Sequence, residues 1–201
     1  MRDVRVRSMV TTALLMALVV LLGLTPVGLI PLGFVYVTVL CVPVIIGTLV
    51  NGLLSGVILG AGFGLVSLYT AITKPSALVA PILSASLPAA MAMCLLPRLL
   101  IPLVVYGINR LLNRTRCAPA LVSGVAAVAG SLTNTVFFLG FMLLFYQLLW
   151  LPSEGVLTMI TGIGIIAGGS EAAVAAILAI PIVAAVRRAF GEPARGRKSI
   201  S

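Results

Sequence analysis

Only a few residues in this sequence can do chemistry, and two of them are ionisable groups within long apolar segments. Arg98 follows Pro97 at the start of one segment, and Glu171 lies inside another. Ionisable groups are costly in a membrane, so both are functional candidates. The guanidinium of Arg98 can hold a carboxylate through two hydrogen bonds, while pairing with Glu171 or extension to the membrane interface are alternatives. Glu171 fits a hydrogen bond between helices as well as it fits ligand contact.

A second polar group lies in the segment GSLTNT at 130–135. Ser131 and Asn134 are three residues apart and therefore share one helix face. The asparagine amide offers two donors and an acceptor, which suits an amide or hydroxyl of a small polar ligand. Both residues are candidate ligand contacts, with hydrogen bonding between helices as the alternative. Thr38 is a weaker candidate of the same kind.

The sequence predicts no catalytic residue, no metal site and no cofactor. Cys41, Cys94 and Cys117 are far apart and histidine is absent, which excludes a zinc site, a Ser-His-Asp triad and a Cys-His pair. The chain has four acidic residues in total and no GxxxxGK[ST] loop for ATP. We therefore predict that it is not an enzyme.

The elements that must position the polar residues are transmembrane helices. The chain is 61% hydrophobic and 8% charged, whereas a soluble domain has about 25% charged residues. A helix needs about 20 apolar residues to cross the hydrocarbon. We place six spans at approximately 8–24, 36–51, 53–72, 97–112, 119–147 and 157–186. We expect the fourth to begin near Pro97 after a long outer loop, and the glycines at 162–169 to unwind the outer part of the sixth.

The basic residues give this bundle an orientation. They form an N-terminal cluster (Arg2, Arg5, Arg7), a central cluster (Arg110, Arg114, Arg116) and a C-terminal cluster (Arg187, Arg188, Arg195, Arg197, Lys198). Six spans place all three on one face with both termini cytoplasmic, as the positive-inside rule requires. We predict an all-α membrane protein, with one six-helix domain over 1–190 and a basic, disordered cytoplasmic tail over 191–201. Membrane lipid, and no nucleic acid, is the expected partner of the positive charge.

Small residues at helical spacing predict close helix contacts. Gly52, Gly56, Gly60 and Gly64 recur every four residues on one stripe, for which packing inside the protein is the preferred interpretation. The pair Ala13 and Ala17 is shorter. It fits internal packing or a docking face for another membrane subunit equally well.

With these features in order, the chain resembles the substrate-binding S component of an energy-coupling factor (ECF) vitamin transporter. The resemblance extends from residue 13 to residue 185. It rests on the AxxxA of the first helix and the strings GLIPLGFVYVTVLCVPVIIGTLVNG, GSLTNTVFFLG and GGSEAAVAAILAIPIV. The last two resemble the pantothenate-type branch most. Cys41 departs from the pattern, because relatives carry a histidine there.

The resemblance implies a vitamin-capturing subunit of a bacterial plasma membrane importer, with a transmembrane coupling subunit and two ABC-type ATPases as partners. In that family the AxxxA helix packs on the coupling subunit, and the S component topples in the membrane to release its cargo. Pantothenate has a carboxylate, an amide and two hydroxyls, which match the predicted ligand contacts in kind. An S component for cobalamin, folate or riboflavin, an autonomous secondary transporter and a non-transport membrane subunit are the alternatives.

Overall fold

A computed structural model of the chain describes residues 2–25, 29–31, 36–115, 117–151 and 156–190. Its helices are α1 (Arg2–Leu24), α2 (Cys41–Asn51), α3 (Leu53–Thr73), α4 (Ala80–Ala85), α5 (Leu87–Leu112), α6 (Pro119–Leu148) and α7 (Val156–Ala189). An antiparallel hairpin of β1 (Leu29–Pro31) and β2 (Tyr36–Thr38) lies between α1 and α2. Within the described ranges, α1, α3, α5, α6 and α7 are long and apolar enough to cross a membrane. The predicted helical membrane class is confirmed, but five of the six predicted spans are found among the described residues and a short hairpin accompanies the helices. The tail 191–201 lies outside the described residues.

The helix predicted over 36–51 is shorter than expected. Residues 36–38 form β2, and α2 begins only at Cys41. A tyrosine, a valine and a threonine in succession favour a strand, which explains the late start. Pro43 lies in the first turn of α2, where a missing N–H removes no helical hydrogen bond. The 11 residues of α2 rise about 16 Å, less than the hydrocarbon thickness.

The helix predicted to begin near Pro97 begins at Leu87 instead. Ser86 is its N-cap and accepts a hydrogen bond from the Ala89 amide at 3.4 Å, and Pro88 occupies the first turn. The residues before it, expected to form one long loop, contain the short helix α4. The prediction was wrong because an interior proline removes only one helical hydrogen bond, and a membrane bundle can replace that donor.

The glycines of the last helix do not unwind it. Helix α7 continues without a break through residues 162–169, so that expectation was wrong. A Cβ atom added at Gly168 would lie 3.1 Å from Cγ2 of Thr135 on α6. Glycine at this position therefore lets α6 and α7 approach closely while both remain helical.

Helices α2 and α3 are separated by a one-residue break at Gly52, on the membrane face that carries the N-terminal arginines. Gly52 has φ 90°, in the left-handed region that favours glycine. Asn51, the last residue of α2, donates through Nδ2 to the Ser8 carbonyl at 3.1 Å. Arg187 of α7 donates to the Leu49 carbonyl at 3.0 Å. The start of α1 and the end of α7 are therefore both fastened to this break.

The glycine stripe packs inside the protein, as the sequence predicts, except at Gly52, which lies before α3 and whose added Cβ atom would meet nothing within 4 Å. A Cβ atom added at Gly60 would lie 2.6 Å from the carbonyl oxygen of Arg98, and one at Gly64 would lie 2.9 Å from Cδ2 of Leu95. The first of these neighbours is backbone, which cannot turn aside. Glycine at position 60 therefore sets the distance between α3 and the Arg98 segment of α5.

We expect Gly60→Ala to destabilise the chain by about 1–3 kcal/mol, because the added methyl group must push α3 away from α5. Thermal unfolding in detergent measures the change. Gly107→Ala is the matched control, since a Cβ atom there meets nothing within 4 Å. Helix propensity predicts that this control is neutral or stabilising by up to about 1 kcal/mol. Equal unfolding temperatures for the two variants would contradict the packing argument.

Candidate substrate-binding site

A cavity of about 510 Å³ lies between α3, α5, α6 and α7. Its wall includes Gly23 near the end of α1 and Lys74 just after α3, which places it in the half of the bundle away from the N-terminal arginines. Arg98, Asn134 and Glu171 all line it. Their side chains are only 6%, 5% and 7% exposed. The fold therefore brings together three of the predicted ligand residues, each from a different helix.

Helices α3, α5 and α6 hold the guanidinium of Arg98. Its Nη1 donates to the Met93 carbonyl and its Nη2 to Oγ of Ser67, both at 3.1 Å. Its Cζ lies 5.2 Å from the ring centroid of Phe63 and 4.5 Å from that of Phe138. Cations are attracted to aromatic faces at such distances. Two rings thus cover the guanidinium, and a ligand must approach it at an edge.

Two buried polar atoms at the site have no hydrogen-bond partner among the described residues. They are Nε of Arg98, a donor, and Oδ1 of Asn134, an acceptor. A buried polar group left unsatisfied costs about 1–3 kcal/mol. A ligand that accepts from Arg98 and donates to Asn134 recovers this cost on binding. The two atoms together suit a small molecule carrying both a carboxylate and an N–H or O–H group.

Glu171 lines the cavity and also joins two helices. Its Oε2 accepts a hydrogen bond from Oγ1 of Thr135 at 3.1 Å. The inter-helix hydrogen bond that the sequence left open as an alternative is therefore present. The cavity wall thus carries both an acidic and a basic side chain, Glu171 and Arg98.

The remaining predicted contacts are placed elsewhere. Ser131 is fully buried beside Cys41 and is not among the described residues that line the cavity. Thr38 belongs to β2, but its side chain lies outside the described part of the chain. Asn134, Arg98 and Glu171 thus share the cavity wall, whereas Ser131 is not among its described residues.

Sequence reasoning missed several residues of the wall. Phe63, Ser67 and Phe138 surround the arginine, and Lys74 adds a second, exposed cation. Spacing carried a partial signal, because Phe138 is four residues after Asn134 and Ser67 is four after Phe63. Residues four apart share a helix face. Nothing in the sequence shows that the two faces meet at Arg98.

Ala13 and Ala17 lie on the outer surface of the bundle. Both are exposed, and among the described side chains of α1 only Val19 is buried. The inner face of α1 instead uses residues such as Met16, whose sulphur lies where a Cβ atom of Gly62 on α3 would be placed. The alanine pair therefore faces away from the chain's own helices.

The sequence model of the family described as "ECF transporter, substrate-specific component" matches residues 7–183. The match begins in α1 and ends in the last turns of α7, so it includes every helix that lines the cavity. This chain belongs to that family. Membership makes it a component of a membrane transporter rather than an enzyme, in agreement with the sequence-based prediction.

One curated relative gives a more specific comparison than the family model does. The chain is 32% identical over 117 residues to a protein named pantothenic acid transporter PanT from Lactococcus lactis subsp. cremoris. The alignment covers 54% of this chain and 57% of that relative. The similarity therefore extends over little more than half of each protein.

Proposed function

We propose that this chain captures pantothenate for an ECF-type importer. The observation that carries the proposal is a cavity lined by Arg98 and Asn134, whose atoms Nε and Oδ1 are buried without partners among the described residues. A carboxylate satisfies the first atom, and an amide N–H or hydroxyl satisfies the second. The relative named as a pantothenic acid transporter supports the same ligand.

Pantothenate complements the cavity group by group. Its carboxylate accepts a charge-assisted hydrogen bond at the edge of the Arg98 guanidinium. Its amide or a hydroxyl donates to Asn134, and another hydroxyl donates to Glu171. Its branched methyl groups pack against the apolar wall of Phe138, Leu139 and Met142. Ser131, also predicted from the sequence, then supports the site from outside the described cavity wall, and Thr38 stays a predicted ligand contact.

The orientation and partners follow from the same proposal. Residues 1–190 form one transmembrane domain with six crossings, in which the hairpin and α2 together take the place of the second. Both termini are cytoplasmic, and the cavity faces the outside. The outer face of α1, with Ala13 and Ala17, packs on a transmembrane coupling subunit that works with two ABC-type ATPases.

Calorimetry on the purified chain with a panel of vitamins tests the ligand. We expect heat of binding with pantothenate at one site per chain, and none with riboflavin, folate or cobalamin at the same concentrations. A second sample with excess pantothenate should show a higher unfolding temperature, because a ligand that binds only the folded state stabilises it. Binding of a different vitamin with no response to pantothenate would exclude the proposed substrate.

A further inference from the structure

We infer that Pro97 is a positioning residue for the arginine that receives the ligand carboxylate. The inference rests on the proposed function and adds a reason for the direction in which Arg98 points. Pro97 has no backbone N–H. The guanidinium of Arg98 donates the hydrogen bond that this N–H would have made.

The geometry of α5 shows the exchange. In an α-helix the N–H of residue 97 would bond to the carbonyl of Met93, but proline has no N–H. The Met93 carbonyl instead accepts a hydrogen bond from Nη1 of Arg98 at 3.1 Å, and α5 remains continuous. Met93 and Pro97 are both buried. A buried carbonyl needs a partner, so the gap left by Pro97 attracts the guanidinium that follows it.

Restoring the backbone donor removes this attraction. An alanine at position 97 would give the Met93 carbonyl its ordinary helical partner, and that bond orders no side chain. Arg98 would keep its hydrogen bond to Ser67 and its contacts with the two aromatic rings. It would lose its hydrogen bond to the Met93 carbonyl within α5. A less fixed guanidinium binds a carboxylate more weakly, because the ligand must then order it. At the same time α5 gains a hydrogen bond and loses an interior proline, so the chain should become more stable.

The experiment compares two replacements of Pro97 in the full chain. Pro97→Ala restores the N–H. Lactic acid, the hydroxy-acid counterpart of alanine, is introduced at position 97 by nonsense suppression and has the same methyl group without the N–H. Pro181→Ala, an exposed interior proline of α7, is the matched control. Calorimetry with pantothenate and with panthenol, its alcohol without a carboxylate, is combined with thermal unfolding.

We expect Pro97→Ala to weaken pantothenate binding by about tenfold while raising the unfolding temperature. The lactic acid variant should stay within about threefold of the wild type, and panthenol binding should change little in either case. Pro181→Ala should leave both affinities unchanged. A residue that merely maintains the fold would lower stability and affinity together.

Two results would overturn the inference while leaving the proposed function intact. One is undiminished pantothenate affinity in Pro97→Ala. The other is an equal loss with alanine and lactic acid, which would assign the effect to the proline ring rather than to the missing donor. Absence of pantothenate binding by the wild-type chain is a different result, and it would count against the proposed function itself.

Discussion

Replacing Arg98 with methionine is expected to weaken pantothenate binding by about 30- to 4000-fold, the range that corresponds to about 2–5 kcal/mol for truncating one partner of a buried charge pair. Methionine keeps an unbranched apolar side chain between Phe63 and Phe138, so the rings retain a neighbour. It removes the donors that the ligand carboxylate requires. Calorimetry on the purified variant measures the affinity.

Panthenol separates loss of carboxylate recognition from general damage to the site. Because it lacks the carboxylate, its affinity should be lower than that of pantothenate in the wild type and should change far less in Arg98→Met. Arg110→Met is the matched control, as Arg110 is an exposed arginine in the last turn of the same helix. If both ligands lose affinity equally in Arg98→Met, the arginine does not recognise the carboxylate and the proposed binding mode fails.

The sequence alone predicts those residues of the candidate site whose polar side chains are energetically costly to place in a membrane. Arg98 and Glu171 are conspicuous because the membrane penalises ionisable groups, and Asn134 because an amide in an apolar helix needs partners. Each of these arguments depends only on local sequence and on the solvent. The sequence alone therefore indicates all three residues, and all three line the cavity.

What sequence could not supply is the set of contacts between helices. Phe63 and Phe138 are ordinary apolar residues of membrane helices, and they become part of the site only because α3 and α6 meet at the guanidinium. Ser131 shows the converse. It lies on the same turn as Asn134, yet a small difference in direction buries it beside Cys41, away from the described cavity wall.

Two predicted helix boundaries were wrong for a related physical reason. Pro97 is typical of a helix start, although within this bundle Arg98 replaces the donor that the proline lacks. The fourth predicted helix is therefore ten residues too short, since Leu87 precedes Pro97 by that number. The hydrophobicity of residues 36–38 predicts a helix, whereas their aromatic and β-branched side chains favour a strand.

The double change Ala13→Leu with Ala17→Leu is expected to abolish assembly with the coupling subunit and its ATPases. Both alanines are exposed on the outer face of α1, so leucine there meets nothing inside the chain. In the membrane, helix association depends on close backbone approach between small residues. Two leucines on the same face would hold a partner helix away. Co-purification of the partner subunits with the tagged chain measures assembly.

Pantothenate binding by the variant chain alone should be unchanged, because the cavity is formed mainly by α3, α5, α6 and α7 and lies inside the bundle. Ala173→Leu with Ala184→Leu is the matched control, since these two alanines are exposed on α7 and lie eleven residues apart on one face. We expect this control to assemble normally. Retained assembly in the α1 variant, or equal loss in the α7 control, would show that the alanine pair does not form the docking surface. Loss of assembly with intact binding would instead support the proposed division, in which this chain captures the ligand and transport requires its partners.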